Sequence, residues 1–183
     1  MAENMKFVLL IRGINVGGVV LKMDDLRATL DRLGLTNVRT YIQSGNAVFD
    51  SRKSDAEQLA DDIRSSIRND AGLDVAVMVK GKADFKKAAA SHPFEKKGNE
   101  DRLFITILEH VPTGGQKVLS QVKSASEKFS IKGDIIYSSY SEGYSRSKYN
   151  NNYLEKIFAM SATTRNWRTM RKLLQMLDDD DQR

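Results

Sequence analysis

The sequence predicts an α+β protein: two ferredoxin-like (split βαβ) subdomains, related by duplication and followed by C-terminal helices. Residues 1–81 read as strand, helix, strand, strand, helix, strand, which is the order of that unit. From residue 82 onward strand, helix, strand, strand and helix recur in the same order. The two kinds of element differ in period. Apolar side chains lie three and four residues apart in the helical stretches, and β-branched or alternating runs lie between them.

Lys6 to Ile11 is an apolar run that predicts a buried strand. Met23, Leu26, Leu30 and Leu33 mark one face of a helix closed by Gly34. Val38 to Gln43 and Ala47 to Asp50 are strands joined by Ser44-Gly45-Asn46, a turn in which Gly and Asn tolerate positive φ. Alternation places Arg39, Tyr41 and Gln43 on one face of that hairpin, and Val38, Thr40 and Ile42 on the face that meets the helices. Ser54-Asp55-Ala56-Glu57 has the form of a capping box, with Ser54 opening a helix that carries Leu59, Ile63 and Ile67 and stops near Gly72. Val75, Val77 and Val79 alternate as the next strand.

A short helix over 83–90 and a proline-containing connection lead to a strand from Leu103 to Leu108 and a helix from Gln116 to Val122. Glu127 to Ile131 and Ile135 to Ser139 form a second hairpin around Lys132-Gly133-Asp134. Helices follow from Asn151 to Met160 and from Arg165 to Leu177, the last presenting Trp167, Met170, Leu174 and Leu177 to the interior. A helix thus stands where the last strand of the repeat belongs, so the first sheet is expected to have four strands and the second three. The domain boundaries follow: 1–81, then 82–177 with the C-terminal helices, then an acidic tail, 178–183, expected to be disordered.

Of the 183 residues, 40% are hydrophobic and 29% charged, the composition of a soluble globular protein. No apolar run approaches the roughly 20 residues that span a bilayer, and no secretory signal pattern opens the chain. A cytoplasmic protein without membrane association is the expectation. Absence of cysteine removes disulfides, thiolate nucleophiles and Cys-ligated zinc. The net charge of +5 is uneven: residues 1–80 carry eleven basic and eleven acidic side chains, whereas Arg146 to Lys172 holds seven basic residues and the single acid Glu155. Such a segment attracts phosphates or acidic partners, although a solvated helix face has the same composition.

Four short runs combine charge with special geometry: Arg12-Gly13-Ile14-Asn15-Val16-Gly17-Gly18, Gln43-Ser44-Gly45-Asn46, Ser145-Arg146-Ser147-Lys148 and Thr163-Thr164-Arg165-Asn166-Trp167. The first follows a strand, as phosphate loops do, and successive N–H groups in such a loop can form an anion nest. It matches neither the Walker nor the dinucleotide fingerprint, and a strained connection would use the same residues. The third is a basic loop before a helix, with Ser147 or Asn150 available as N-cap. In the fourth, Thr163 or Thr164 is expected to cap the last helix and Arg165 to lie in its first turn, where a cation is unfavourable unless an anion or an acidic side chain lies opposite.

These runs, with Thr40-Tyr41-Ile42 before the second and Ala162 before the fourth, resemble a bacterial family known as domain of unknown function 1697. The resemblance extends from about Lys6 to about Leu174 and departs at Tyr149, where an aliphatic residue is expected. It implies a duplicated ferredoxin-like fold and brings no activity, substrate or cofactor with it.

The candidate anion-binding set is therefore Arg12, Asn15, Gly17, Gln43, Ser44, Asn46, Arg146, Ser147, Lys148, Thr163, Thr164, Arg165 and Asn166. The favoured expectation is a phosphorylated small molecule or nucleotide bound in a basic cleft between subdomains. One alternative is nucleic-acid binding, of RNA in particular, through the basic C-terminal segment. RNA stacking on the first sheet would draw on Tyr41 and a loose echo of an aromatic signature at Gly45 to Phe49. Another alternative is that the motifs are structural latches in a protein-interaction module. His92 and His110 lie outside every motif, Asp24 and Asp25 suit a helix N-terminus better than a metal, and no catalytic group, cofactor or metal site is legible.

Overall fold

The computed structural model describes residues 4–179. The chain divides into two compact units, Met1–Lys87 with Leu173–Arg183, and Ala88–Lys172.

The first unit contains β1 (Met5–Ile11), α1 (Met23–Arg32), β2 (Thr36–Tyr41), β3 (Asn46–Ser51), α2 (Ala56–Ala71) and β4 (Val77–Gly81), and most of α3 (Lys82–Ala89), whose last two residues fall in the second. Its sheet is antiparallel with strand order β2-β3-β1-β4, the ferredoxin-like arrangement. Alternate residues of β1 and β3 (Phe7, Leu9, Ile11, Ala47 and Phe49) point toward α1 and α2 and pack with Leu26, Leu30, Leu59 and Ile63. Phe7 and Phe49 stack with centroids 5.6 Å apart. The aromatic side chains of the two central strands are thus in the core. Val8, Leu10 and Val48, on the opposite face, are aliphatic and buried, so these strands present no ring for a base to stack on.

Several local expectations change. The N-cap of α2 is Asp55, whose carboxylate accepts from the backbone N–H groups of Glu57 and Gln58, and not Ser54. A register shift falls between Thr36 and Arg39, with Asn37 at φ 52°, and β2 ends at Tyr41, two residues short of the expected Gln43. Val38 still packs on the core and Thr40 still faces α1, but Ile42 leaves the sheet with φ 50° and is 52% exposed. In the turn it is Ile42 and Gly45 that take positive φ, while Asn46 starts β3.

The second unit contains β5 (Leu103–Leu108), α4 (Gly115–Leu119), β6 (Lys128–Lys132), β7 (Ile135–Ser139), α5 (Asn151–Phe158) and β8 (Ala162–Asn166), and α6 (Trp167–Asp179) begins in it. Its sheet has four strands, not three, in the order β6-β7-β5-β8, which repeats the first sheet strand for strand. The fourth strand is β8, antiparallel to β5, with Ile105 opposite Arg165 and Leu108 opposite Ala162. Residues 162–166 are therefore strand and not a helix start, and a single helix follows the duplicated units. Leu108, Ile131 and Ile136 of the sheet pack with Leu119 of α4 and Leu154 and Phe158 of α5 in a hydrophobic core cluster of this unit.

The N-cap of α6 is supplied by Asn166, whose Oδ1 accepts from the N–H of Thr169 at 2.7 Å. Thr163 and Thr164, expected as caps, lie upstream in the strand. Leu173 is fully buried on α6, whereas Leu174 is only half-buried. The helix continues through Asp178, which lies 3.2 Å from Lys82. The rest of the expected tail, 180–183, lies outside the described residues. Among the described residues no helix is long and apolar enough to cross a membrane.

Candidate ligand-binding site

The first two motifs meet at one end of the first sheet. The Ile11 N–H donates to the Gly45 carbonyl at 2.8 Å, and the Arg12 N–H to the Ala76 carbonyl at 2.9 Å. Beyond Arg12 the chain turns back on itself, with the Asn15 N–H donating to Val19 and the Val19 N–H to Val16. Asn15 sits at φ 57°, a left-handed conformation that Asn tolerates better than most residues. Its side-chain amide donates to the carbonyls of Leu21 (2.9 Å) and Gln43 (2.5 Å), and its Oδ1 accepts from the Leu21 N–H (3.0 Å). Both amide hydrogens are used, so Asn15 braces the glycine loop against the hairpin.

Asn46 does the same from the hairpin side. It is fully buried, and its amide donates to the Tyr41 carbonyl (3.1 Å) and to Ser44 Oγ (2.8 Å). Between them Gly45 has no room for a side chain: a Cβ would lie 2.8 Å from Ile14 Cδ1 and 2.9 Å from Ile11 Cβ, at a φ of 75°. Asn15, Gln43, Ser44 and Asn46 are thus brought together, and all four serve the architecture of this corner. Gly17 and Gly18, at φ 58° and 89°, form its exposed tip.

Next to this brace is a hollow of about 380 Å³ whose lining includes Lys22, Asp24, Arg27, Thr40, Ile42 and Gln43. Lys22 is the N-cap residue of α1 and makes no side-chain cap, so no side chain of that residue covers the first-turn N–H groups. Arg27 donates to Thr40 Oγ at 2.6 Å and pairs with Asp24. Ile42 closes the rim in a conformation that a β-branched residue adopts only under strain. Arg12 lines a different hollow, of about 300 Å³, with Gly13, Gly72 and Asp74. That one already holds a carboxylate: Asp74 is paired with Arg68 (2.7 Å) and Arg64 (3.0 Å), whose hydrogen bonds hold its carboxyl below the usual range. Sequence reasoning missed Lys22, Arg27, Thr40 and Ile42. The available signal was Lys22, which precedes the apolar period of α1 where Ser, Thr, Asp or Asn is the usual cap.

In the second unit the predicted residues are spread over a loop and a strand. Arg146 and Lys148 are exposed, and the Lys148 ammonium lies 5.0 Å from the centre of the Tyr149 ring. Ser147 is buried and its Oγ accepts from the Tyr149 N–H. Asn150, not Ser147, caps α5 by accepting from the Tyr153 N–H. Thr164 shares hydrogen bonds with Thr106 (2.7 Å) and Asn151 (2.8 Å), which ties β8 to β5 and to the start of α5. Arg165 folds back along its own strand, donating to Thr163 Oγ (2.7 Å) and to the Thr164 carbonyl (2.9 Å). Burial pushes its guanidinium down to about 10, against a smaller opposing effect of the Tyr144 phenol, so it is charged at neutral pH.

The duplication supplies an internal comparison. Ile11 and Leu108 occupy equivalent places, each opposite the first residue of its unit's last strand. Leu10 pairs with Asn46 as Ile107 pairs with Ile135. The backbone bonds also recur, from Ile11 to Gly45 and from Leu108 to Asp134, and from Arg12 to Ala76 and from Glu109 to Ser161. The second unit thus builds the same sheet with Glu109 in place of Arg12 and Ile135 in place of Asn46. It joins β5 to α4 through 109–114, where the first unit uses the longer 12–22. The Asn-braced glycine loop is an addition to the fold and not a requirement of it.

Two sheets of equivalent topology, one carrying that addition, define a duplicated ferredoxin-like α+β protein. Residues 5–137 match the family described as Protein of unknown function (DUF1697), and the chain belongs to that family. It is also similar to the conserved bacterial protein SP0830 from Streptococcus pneumoniae. The two are 27% identical with a TM-score of 0.78, over 96% of this chain and 99% of that one. No curated protein matches the chain. Among the described residues no group of three or more His, Cys, Asp or Glu side chains could hold a metal ion.

Proposed function

We propose that the protein binds a phosphorylated small molecule or nucleotide at the corner of the first unit where the Arg12–Gly18 loop meets the Gln43–Asn46 turn. The observation that carries this reading is the contrast between the two units. An equivalent sheet in the same chain folds without Asn15, Asn46 or the long loop, so folding alone does not account for them. Strain points the same way, because an exposed β-branched residue at φ 50° persists only where its surroundings over-determine it, and such sites cluster at ligand clamps. Lys22 and Arg27 supply positive charge to the adjoining hollow, and the start of α1 supplies a favourable dipole. Asp24, which also lines the hollow, pairs with Arg27 and would have to yield part of that pairing to a bound anion.

The test is a thermal-shift series with pyrophosphate, nucleoside triphosphates and sugar phosphates on wild type and on Lys22→Glu. Lys22 is exposed, so its replacement leaves the fold intact. Stabilisation of the wild type that Lys22→Glu abolishes is the expected result. Uniformly unchanged melting temperatures, or an equal shift in the variant, would overturn the reading.

A further inference from the structure

The second unit contains a buried histidine outside every motif. His92, 4% exposed, lies in the connection between α3 and β5. Its Nδ1 accepts the Phe94 N–H at 3.3 Å, and its Nε2 lies 3.1 Å from the Phe104 carbonyl on β5. One protonation state satisfies both contacts: the neutral ring with its hydrogen on Nε2. The ring sits edge-on to Tyr137 of β7 and to Trp167 of α6, each with centroids 5.3 Å away, and is tilted against Phe94 at 5.8 Å.

The charged and titratable groups around this box are few. Glu95 accepts from Trp167 Nε1 at 3.2 Å and lies 3.9 Å from Arg171. Arg168 of α6 is paired with Asp101 at 2.9 Å. The Tyr137 phenol donates to the Ala88 carbonyl at 3.1 Å, and burial pushes its titration up. A second proton on His92 would set an Nδ1–H against the Phe94 N–H, two donors facing each other inside an aromatic enclosure. The cation would also lose most of its hydration there. Burial dominates and holds the imidazole below its ordinary value; the Phe104 carbonyl and, less, the Glu95 carboxylate offset only part of it.

We infer that His92 is a proton-sensitive pin: its neutral ring fastens the 91–99 segment to β5 and to the Trp167 end of α6, and acidification withdraws it. The linkage has a definite sign. The open form takes up a proton near the ordinary histidine value of 6.5 and the closed form only at lower pH, so opening becomes easier as pH falls between the two. Within that window the open population rises about tenfold per pH unit for one proton.

Trp167 is the single tryptophan, so fluorescence excited at the red edge of its absorption, where the six tyrosines do not absorb, reports on this place alone. Fluorescence and Phe94 amide exchange, corrected for intrinsic rate, are followed from pH 8 to pH 4.5 with far-UV circular dichroism as a check on global unfolding. The expected result is a red-shifting transition below 6.5 with accelerated Phe94 exchange while secondary structure persists, retained in Glu95→Gln and absent in His92→Gln. A transition that survives in His92→Gln, or is lost only in Glu95→Gln, overturns the inference. Should His92→Gln fail to fold, the wild-type His92 ring resonance decides: a midpoint shared with the Phe94 amide supports the pin, and an amide indifferent to that titration rejects it.

Discussion

The side-chain amide of Asn15 donates to the main-chain carbonyl of Gln43, 28 positions away, at 2.5 Å, and so joins a glycine loop to a hairpin turn. The same side chain exchanges two hydrogen bonds with Leu21. Replacing Asn15 with Ala leaves the carbonyls of Leu21 and Gln43 and the Leu21 N–H without these partners. It should lower stability by about 1–3 kcal/mol. Asn15→Gly keeps the left-handed backbone and removes only the bonds, so it should cost less. Urea denaturation of the three proteins checks the order; equal stabilities would show that the brace contributes nothing.

Gly45→Ala tests the close approach under that brace. The added methyl meets Ile11 and Ile14 inside 3.0 Å at a φ of 75°. Overpacking and left-handed strain together should cost at least about 2 kcal/mol. The change should appear as a lower denaturation midpoint with an unchanged slope. A variant as stable as wild type would mean that the turn relaxes freely.

Ile42→Gly should do the opposite. The side chain is half out of the protein, so little burial is lost, and a left-handed φ of 50° becomes permissible. The expected gain is about 0.5–1 kcal/mol after the entropy of the extra glycine is counted. Calorimetry should show a raised melting temperature. A lowered one would place the apolar contacts of Ile42 above its backbone strain.

Asn166→Ala removes the N-cap of α6 and should cost about 1 kcal/mol, most of which Asn166→Asp or Asn166→Ser restores. Thr164→Val should also destabilise, by breaking the bonds to Thr106 and Asn151, and Asn or Asp at 164, which can cap a helix but lack the hydroxyl, should not rescue it. Restoration by capping chemistry at 166 but not at 164 distinguishes a strand end from a helix start.

Acid should weaken the first unit through three carboxylates. Asp70 (held by Thr29 and Arg32), Asp74 (by Arg68 and Arg64) and Asp62 (by Lys53 and Gln58) all titrate below the ordinary 3.8. With folded values depressed, their stabilisation is present above 3.8 and is lost as pH falls through the lower folded values. Unfolding midpoints measured from pH 5 downward should fall with pH, and less steeply in Asp74→Asn. An identical slope in that variant would remove Asp74 from the account.

Most of the architecture was legible because it is written in local period: the Leu26–Leu30 face of α1 and the apolar run of β1 could each be recognised without knowing their neighbours. The strand β8 could not. Thr163, Thr164 and Asn166 before an amphipathic stretch look like a helix cap, and only pairing with β5, some sixty residues earlier, makes 162–166 a strand. Asn166 fulfils both roles, ending the strand and capping the helix. At the candidate site, the unusual backbone of the glycine loop was visible in composition, but what Asn15 holds depends on a carbonyl from another element. In the sequence Ile42 looks like an ordinary strand residue, because propensity gives no hint of strain that the surrounding fold imposes.

One consequence of the junction at residues 166 and 167 is mechanical. Strand β8 passes into α6 with no intervening residue, and β8 has a partner in its sheet only in β5. A load drawn through the helix would reach the end of β8 without slack and open its ladder rung by rung from Asn166 toward Ala162. Once the far end of the helix is pulled free of its own contacts, such as that between Lys82 and Asp178, the load falls directly on this seam.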